Sequence, residues 1–169
     1  MEKSVYYFPK WYHGKYAPAL YKEDINGDSL EGVIVVLNND QAGLGNPLKD
    51  LHILNQIHDP YSRFYEAKAE PIKMTIKNDN LVNIYIGEKK HTIDIFKYDY
   101  INPRNRFFAI ELIEYNIKNG KLFATVPAYV VRDDSVQGGY IGYLKLQYTW
   151  DEKKYVTKQI DLIKSAPKN

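Results

Sequence analysis

From residue 71 to residue 163 apolar and polar positions alternate with a period of two, the pattern of strands that bury one face. Ile72, Met74 and Ile76 alternate with Lys73, Thr75 and Lys77, and after Asn78-Asp79-Asn80 the alternation resumes at Val82, Ile84 and Ile86. A hairpin closed by that three-residue loop pairs Ile76 with Val82, Met74 with Ile84 and Ile72 with Ile86, so all six share one face. With Glu88-Lys89 as the next turn, Ile86 meets His91, Ile84 meets Ile93 and Val82 meets Ile95. A second hairpin centres on Asn119-Gly120, since a type I′ turn needs positive φ at both central residues. It pairs Ile117 with Leu122, Tyr115 with Ala124 and Ile113 with Val126. A third runs out from Tyr140 to Trp150, with Leu144, Leu146, Tyr148 and Trp150 on one face, and returns from Tyr155 to Ile163, offering Val156, Ile160 and Leu162.

Strands of this kind joined by short turns predict a mostly β fold: an antiparallel meander forming a sandwich, or a curved sheet or barrel. The first 70 residues are less regular. Val33 to Leu37 is a continuous apolar run that suits a central strand buried on both faces, residues 38 to 50 read as a long loop, and Leu51 to Leu54 read as a further short strand. The N-terminal segment is crowded with Tyr6, Tyr7, Phe8, Trp11, Tyr12, Tyr16 and Tyr21. No linker or low-complexity tract interrupts the chain, and its 169 residues fit one domain that buries roughly two-thirds of its unfolded surface. Within that domain, residues 1–32 are the N-terminal segment and a cation-type loop, 33–70 a strand with long loops, and 71–163 the meander.

The loop is Asp24-Ile25-Asn26-Gly27-Asp28-Ser29-Leu30-Glu31-Gly32, and it runs directly into the apolar strand from Val33. Oxygen side chains at alternate positions 1, 3 and 5 of a tight loop converge on one hard cation, and glycine at position 4 lets the backbone turn. An EF-hand is excluded, because the bidentate glutamate required at position 12 falls on Val35 and no helix flanks the loop. The loop resembles the Asp-x-Asn-Gly-Asp-Gly-x-x-Asp-hydrophobic signature of the FG-GAP/VCBS repeat family. Asp24, Asn26, Asp28 and the strand match, whereas Ser29 stands at the sixth-position glycine and Gly32 at the ninth-position aspartate. The resemblance implies Ca2+ held by Asp24, Asn26, Asp28 and the Leu30 carbonyl, with Glu31 available in place of the missing ninth carboxylate. A propeller would repeat the loop at a period of about 40 residues, and no second Asp-x-Asn-Gly-Asp occurs, so the loop is an isolated element of another fold. The plainer reading is a metal-free turn, because Asp and Asn stabilise turns with their own side chains.

Charge narrows the partners. Lys and Arg number 23 against 21 acidic residues, and the only arginines are Arg63, Arg104, Arg106 and Arg132, so nucleic acid is not an expected partner. No apolar run reaches membrane-helix length, and the chain has no cysteine, which excludes disulfides and thiolate chemistry. The residues after Met1 lack the apolar core of a signal peptide. Because FG-GAP/VCBS-like domains are usually exported, the resemblance implies a mature fragment of a secreted or cell-envelope protein.

Catalytic constellations are weak. Glu111 and Glu114, three apart on a strand, point to opposite faces and cannot flank one glycosidic bond. His52, His58 and His91 show no ligand spacing, Asp133-Asp134 read as a solvated loop or a distant cation ligand, and no nucleophile elbow or phosphate loop occurs. Trp11, Tyr12 and Tyr16 are candidate ligand-binding aromatics for carbohydrate, against the simpler expectation that the aromatics drape over a sheet and close the core. The reading reached is a non-catalytic exported bacterial β domain with a calcium-type loop and a structural or interaction role at the cell envelope. The alternative is a module that binds cell-surface carbohydrate or protein, and a hydrolase ranks third.

Overall fold

A computed structural model describes residues 5–12, 14–39, 48–76, 81–86, 89–94, 107–110, 113–132 and 135–164. All regular structure among them is β. The strands are β1 (Ala19–Glu23), β2 (Gly32–Asn39), β3 (Leu48–Gln56), β4 (Phe64–Ala69), β5 (Ile72–Ile76), β6 (Leu81–Ile86), β7 (Lys89–Asp94), β8 (Phe107–Ile110), β9 (Glu114–Ile117), β10 (Leu122–Arg132), β11 (Ser135–Trp150) and β12 (Lys154–Lys164). Nine of them form one mixed sheet in the order β1-β2-β3-β4-β12-β11-β10-β8, with β9 also on β10 beside β8, and the sheet curves into a nearly closed barrel as β9 comes back against β3. The strands β5, β6 and β7 form a separate antiparallel sheet.

The long hairpins follow their alternation. Leu122, Ala124, Val126 and Ala128 of β10 lie against Leu144, Leu146 and Tyr148 of β11, all at 3% exposure or less, and with Ile34, Ile53 and Tyr155 they form the core. Asn119 and Gly120 both have positive φ, 52° and 64°, and Ile117 faces Leu122 while Tyr115 faces Ala124, as the type I′ turn requires. Pairing of β9 stops at Thr125 and pairing of β8 begins at Ala128. Pro127, which has no N–H to donate, falls in that gap.

Four expectations need correction. The β5–β6 register is the expected one, but β7 is displaced by two residues, so that Ile86 faces Lys89, Ile84 faces His91 and Val82 faces Ile93. A two-residue slip leaves every side chain on its own face, so apolar alternation does not oppose it. Ile95 lies outside the described residues. On the opposite face of this sheet Asn83 is buried and accepts a hydrogen bond from the Thr92 hydroxyl at 2.8 Å.

On β12 the inward residues near the turn are Tyr155 and Thr157 rather than Val156. Gln147 faces Gln159 but Tyr148 faces Thr157, so Lys158 is an extra residue, and this β-bulge moves the buried face from even to odd positions. The stretch expected as a loop over 38–50 carries strand at both ends, Asn38 facing Lys49 and Asn39 facing Leu48. The reason is that Asn38 is buried with its polar atoms satisfied: Nδ2 donates to the Ala17 carbonyl at 2.7 Å and Oδ1 accepts from Lys49 Nζ at 2.6 Å.

Finally, the sheet is not antiparallel throughout. After Ile53↔Ala67, β4 leaves β3, and Lys68 and Ala69 instead pair in parallel with Lys154 and Tyr155 of β12. Glu70 secures this crossing. Its N–H donates to the Tyr155 carbonyl at 2.9 Å, and its carboxylate accepts the Thr157 N–H at 3.1 Å and pairs with Lys154 at 3.0 Å.

Two outcomes test this packing. Leu146→Ala should cost about 2–5 kcal/mol in urea unfolding, whereas Leu20→Ala, at 66% exposure, should stay within about 0.5 kcal/mol. In the β11–β12 turn, the backbone N–H groups of Lys154 and Lys153 hold the Asp151 carboxyl below the usual carboxylate range. A depressed pKa contributes stability above the unfolded value and loses it as the pH falls through the folded one. Asp151→Asn should therefore lower the melting temperature at neutral pH, and the gap to the unmodified chain should close on acidification.

Candidate functional site

The loop that resembles a cation site closes one end of the barrel. Ile25 points into the core, Gly27 and Ser29 have φ of 82° and 68°, and the side chains form a nested set of turns. Asp24 Oδ1 accepts the Gly27 N–H at 2.7 Å and Oδ2 the Ser29 N–H at 2.9 Å, while Asp28 Oδ1 accepts the Leu30 N–H at 2.8 Å and Oδ2 the Asn26 amide at 2.8 Å. Ser29 thus holds a left-handed conformation of the kind that favours glycine. Gly32, at the ninth position, has a steric cause, because a Cβ there would lie 2.9 Å from the Leu54 carbonyl oxygen. The carboxylate absent from the motif has no room against β3. Glu31 is turned to Lys22, 2.5 Å away. The negative charges of Asp24 and Asp28 reach the buried Tyr155 hydroxyl, which burial above all pushes up and which donates to Asn55 Oδ1 at 2.7 Å. Among the described residues no group of three or more His, Asp and Glu is arranged to hold a metal ion.

The second site grows from the place where β4 leaves β3. Gly14 donates to the Asn38 carbonyl and Asn38 to the Ala17 carbonyl, and this tie lays the N-terminal segment over β3 and β4. Its aromatics form a ladder: Tyr6 packs edge-on against Phe64, Phe8 stacks on Trp11 at 3.9 Å between centroids, and Trp11 stacks on His52, also at 3.9 Å. His52 Nδ1 in turn bonds Glu66 at 2.7 Å. Two near-parallel rings at that distance cannot share one face of the indole, so Phe8 and His52 cover opposite faces. Trp11 is half-buried and lies outside the core. The aromatics from Tyr6 to Trp11 drape over the sheet, and Tyr21 packs against the core.

Beneath this strap is a cleft of about 580 Å³. Trp11 and Tyr12 line it from the strap, Leu51 from β3, Tyr115 from β9, and Tyr148 from β11. Burial, helped by the charge of Asp50, pushes the Tyr115 hydroxyl up to about 12. Burial also raises Tyr148, whose hydroxyl donates to the Glu70 carbonyl at 3.4 Å. Of the candidate aromatics, Trp11 and Tyr12 therefore come together here, while Tyr16 is exposed with Lys15 over its ring. Tyr115 and Tyr148 are residues that alternation marks only as inward-facing, and no sequence signal connects them to the strap. Glu114 is exposed, 3.8 Å from Lys49, His58 is exposed, and Glu111 and Asp133-Asp134 lie outside the described residues.

No protein-family model, curated protein or solved structure matches this chain.

Trp11→Ala removes two stacking partners, each such pair contributing about 0.5–1.5 kcal/mol beyond area burial. The expected loss is about 1–3 kcal/mol in urea unfolding, below the range for a core tryptophan. It should come with greater protease access near residues 5–18.

Proposed function

We propose that this chain is a non-catalytic bacterial β domain, exported to the cell envelope, whose Asp24–Gly32 loop takes Ca2+ and stiffens the fold for a structural or interaction role. The observation that carries the reading is the conformation of the loop. Three oxygen-bearing side chains at alternate positions sit on a backbone with left-handed residues at Gly27 and Ser29, anchored by Ile25 in the core. The N–H bonds already made to Asp24 and Asp28 do not compete with a cation, because each carboxylate oxygen keeps a second lone pair. Asp24, Asn26, Asp28 and the Leu30 carbonyl form the ligand set, completed by water. With the ninth position closed to a carboxylate, affinity falls in the ~10⁻⁴ to 10⁻³ M range of extracellular sites. Export rests on the FG-GAP/VCBS resemblance of the loop. Among the described residues no helix is long and apolar enough to cross a membrane.

The cleft favours the second reading, a module that binds carbohydrate or protein. Its size is that of a small-ligand site. The chemistry lining it is suited to holding rather than reacting. Both Glu70 oxygens are engaged by Lys154 and the Thr157 N–H, and the Tyr115 and Tyr148 phenols are held protonated by burial.

At 10 mM calcium a site with a millimolar Kd adds about 1.4 kcal/mol, which for this chain length raises the melting temperature by roughly 3–6 °C. Asp28→Ala should abolish that rise. Terbium, replacing calcium, should give luminescence sensitised by Tyr155 that calcium displaces. Equal melting in calcium and in chelator, with no terbium signal dependent on Asp28, would rule out the cation.

A further inference from the structure

The chain contains two Asn-Gly steps, Asn26-Gly27 in the Asp24 loop and Asn119-Gly120 at the tip of the β9–β10 hairpin. They are neighbours in space, since a Cβ on Gly120 would come 3.0 Å from the Asp24 carbonyl oxygen, and both glycines have positive φ, 82° and 64°. An asparagine followed by glycine can cyclise. The glycine backbone nitrogen, once it has lost its proton, attacks the side-chain amide carbon, ammonia leaves, and water then opens the cyclic imide to aspartate or to β-linked isoaspartate. No oxidant or cofactor enters, and glycine permits the attack because no side chain shields its nitrogen. Identical residues carry the same intrinsic reactivity, so the fold decides between the two steps.

At Asn26 every reacting group is held. The Gly27 N–H is donated to Asp24 Oδ1 at 2.7 Å, the Asn26 amide nitrogen donates to Asp28 Oδ2 at 2.8 Å, and Asn26 Oδ1 accepts the Asp28 N–H at 3.4 Å. The carboxylates of Asp24 and Asp28 oppose loss of a proton from the amide between them, as negative charge opposes the formation of any nearby anion. Rotating Asn26 toward ring closure would also displace its neighbour Ile25, which is buried in the core.

At Asn119 the same groups are open. Asn119 is exposed, and among the described residues its side chain and the Gly120 N–H meet no hydrogen-bond partner. The turn is closed by the pair of backbone bonds between Lys118 and Lys121, at 3.0 and 3.2 Å, and an exposed hairpin tip opens locally at small cost. Both lysines are exposed and flank the step with positive charge, which favours the amide anion.

We propose that Asn119-Gly120 is a self-modification site, forming isoaspartate that opens the β9–β10 turn as the protein ages, while the folded loop protects Asn26-Gly27 beside it. The β-linkage carries an additional main-chain methylene through a two-residue turn, so the bonds between Lys118 and Lys121 no longer close. Neither a cation in the loop nor a ligand in the cleft is required.

The test is incubation of the full chain in mildly alkaline buffer, followed by cleavage at glutamate, which leaves Asn26 on the peptide from Asp24 to Glu31 and Asn119 on the peptide from Tyr115 to Glu152. Mass spectrometry against a zero-time sample reads conversion at each, and labelling by a protein isoaspartate methyltransferase identifies the β-linkage. In the folded chain Asn119 should convert at least roughly tenfold faster than Asn26, the effect of one charge-assisted hydrogen bond that must break before reaction. In urea the two rates should converge. Aged protein should lose hydrogen-exchange protection at Lys118 and Lys121, whereas Asn119→Asp, which keeps the ordinary linkage, should retain it. Equal conversion at both sites of the folded chain overturns the proposal, as does conversion at neither while the urea-unfolded chain converts at both. A difference that persists unchanged in urea overturns it too, by assigning the selectivity to local sequence. Protection retained at Lys118 and Lys121 after conversion to isoaspartate overturns the opening of the turn.

Discussion

The barrel depends on a crossing only two residue pairs long, where the end of β4 lies parallel to the start of β12. So short a ladder cannot hold two sheet halves together by itself, and Glu70 reinforces it at four points. Its N–H and carboxylate bond β12, its carbonyl accepts the Tyr148 hydroxyl, and its other carboxylate oxygen meets Lys154. The ion pair is half-exposed on its lysine side and screened by water, so it adds little. The bond to the Thr157 N–H matters more, because Thr157 is buried and a buried donor left unpaired costs about 1–3 kcal/mol. The bulge at Lys158 turns Tyr155 and Thr157 inward, and Glu70 bonds the backbone of both.

The same crossing makes the cleft. A β4 strand that stayed on β3 along its whole length would close the barrel wall, whereas one that leaves at Ala67 opens it beside Leu51. The N-terminal aromatics then cover the exposed flank. Their ladder runs from Phe64 through Tyr6, Phe8 and Trp11 to His52, joining the strap to both β3 and β4 on either side of the divergence. The Asp24 loop meets the Asn119-Gly120 turn at this end of the barrel, where a Cβ on Gly120 would come within 3.0 Å of the Asp24 carbonyl oxygen. Loop and turn are in contact, and Tyr155 links this end to β3 through Asn55, whose amide donates on to the Tyr65 hydroxyl at 3.3 Å.

Alternation in Ile72–Ile86, Tyr115–Val126 and Leu144–Leu146, with Asn-Gly at a two-residue turn, determined the strands, the inward faces of the two long hairpins and two of the three hairpin registers. These are local properties, set by the period of the pleat and the φ preferences of turn residues. The Asp24 loop was equally legible as a turn, since its hydrogen bonds run between residues two to five apart. The β7 register was not, because a slip of two residues preserves every inward face, and neither was the Lys158 bulge, which reverses the alternation partway along a strand.

What only the tertiary structure decided is which strand follows β4 in the sheet and what lies under the strap. Glu70 and Thr157 are 87 residues apart, and Asn55 and Tyr155 are 100. Nothing in the spacing of either pair announces a partner, because a hydrogen bond between distant segments depends on where the whole sheet brings them. Gly32 shows both levels in one residue. The sequence by itself determined that the loop lacks a ninth-position carboxylate, and the tertiary fold supplied the cause, a β3 carbonyl too close for any side chain to enter.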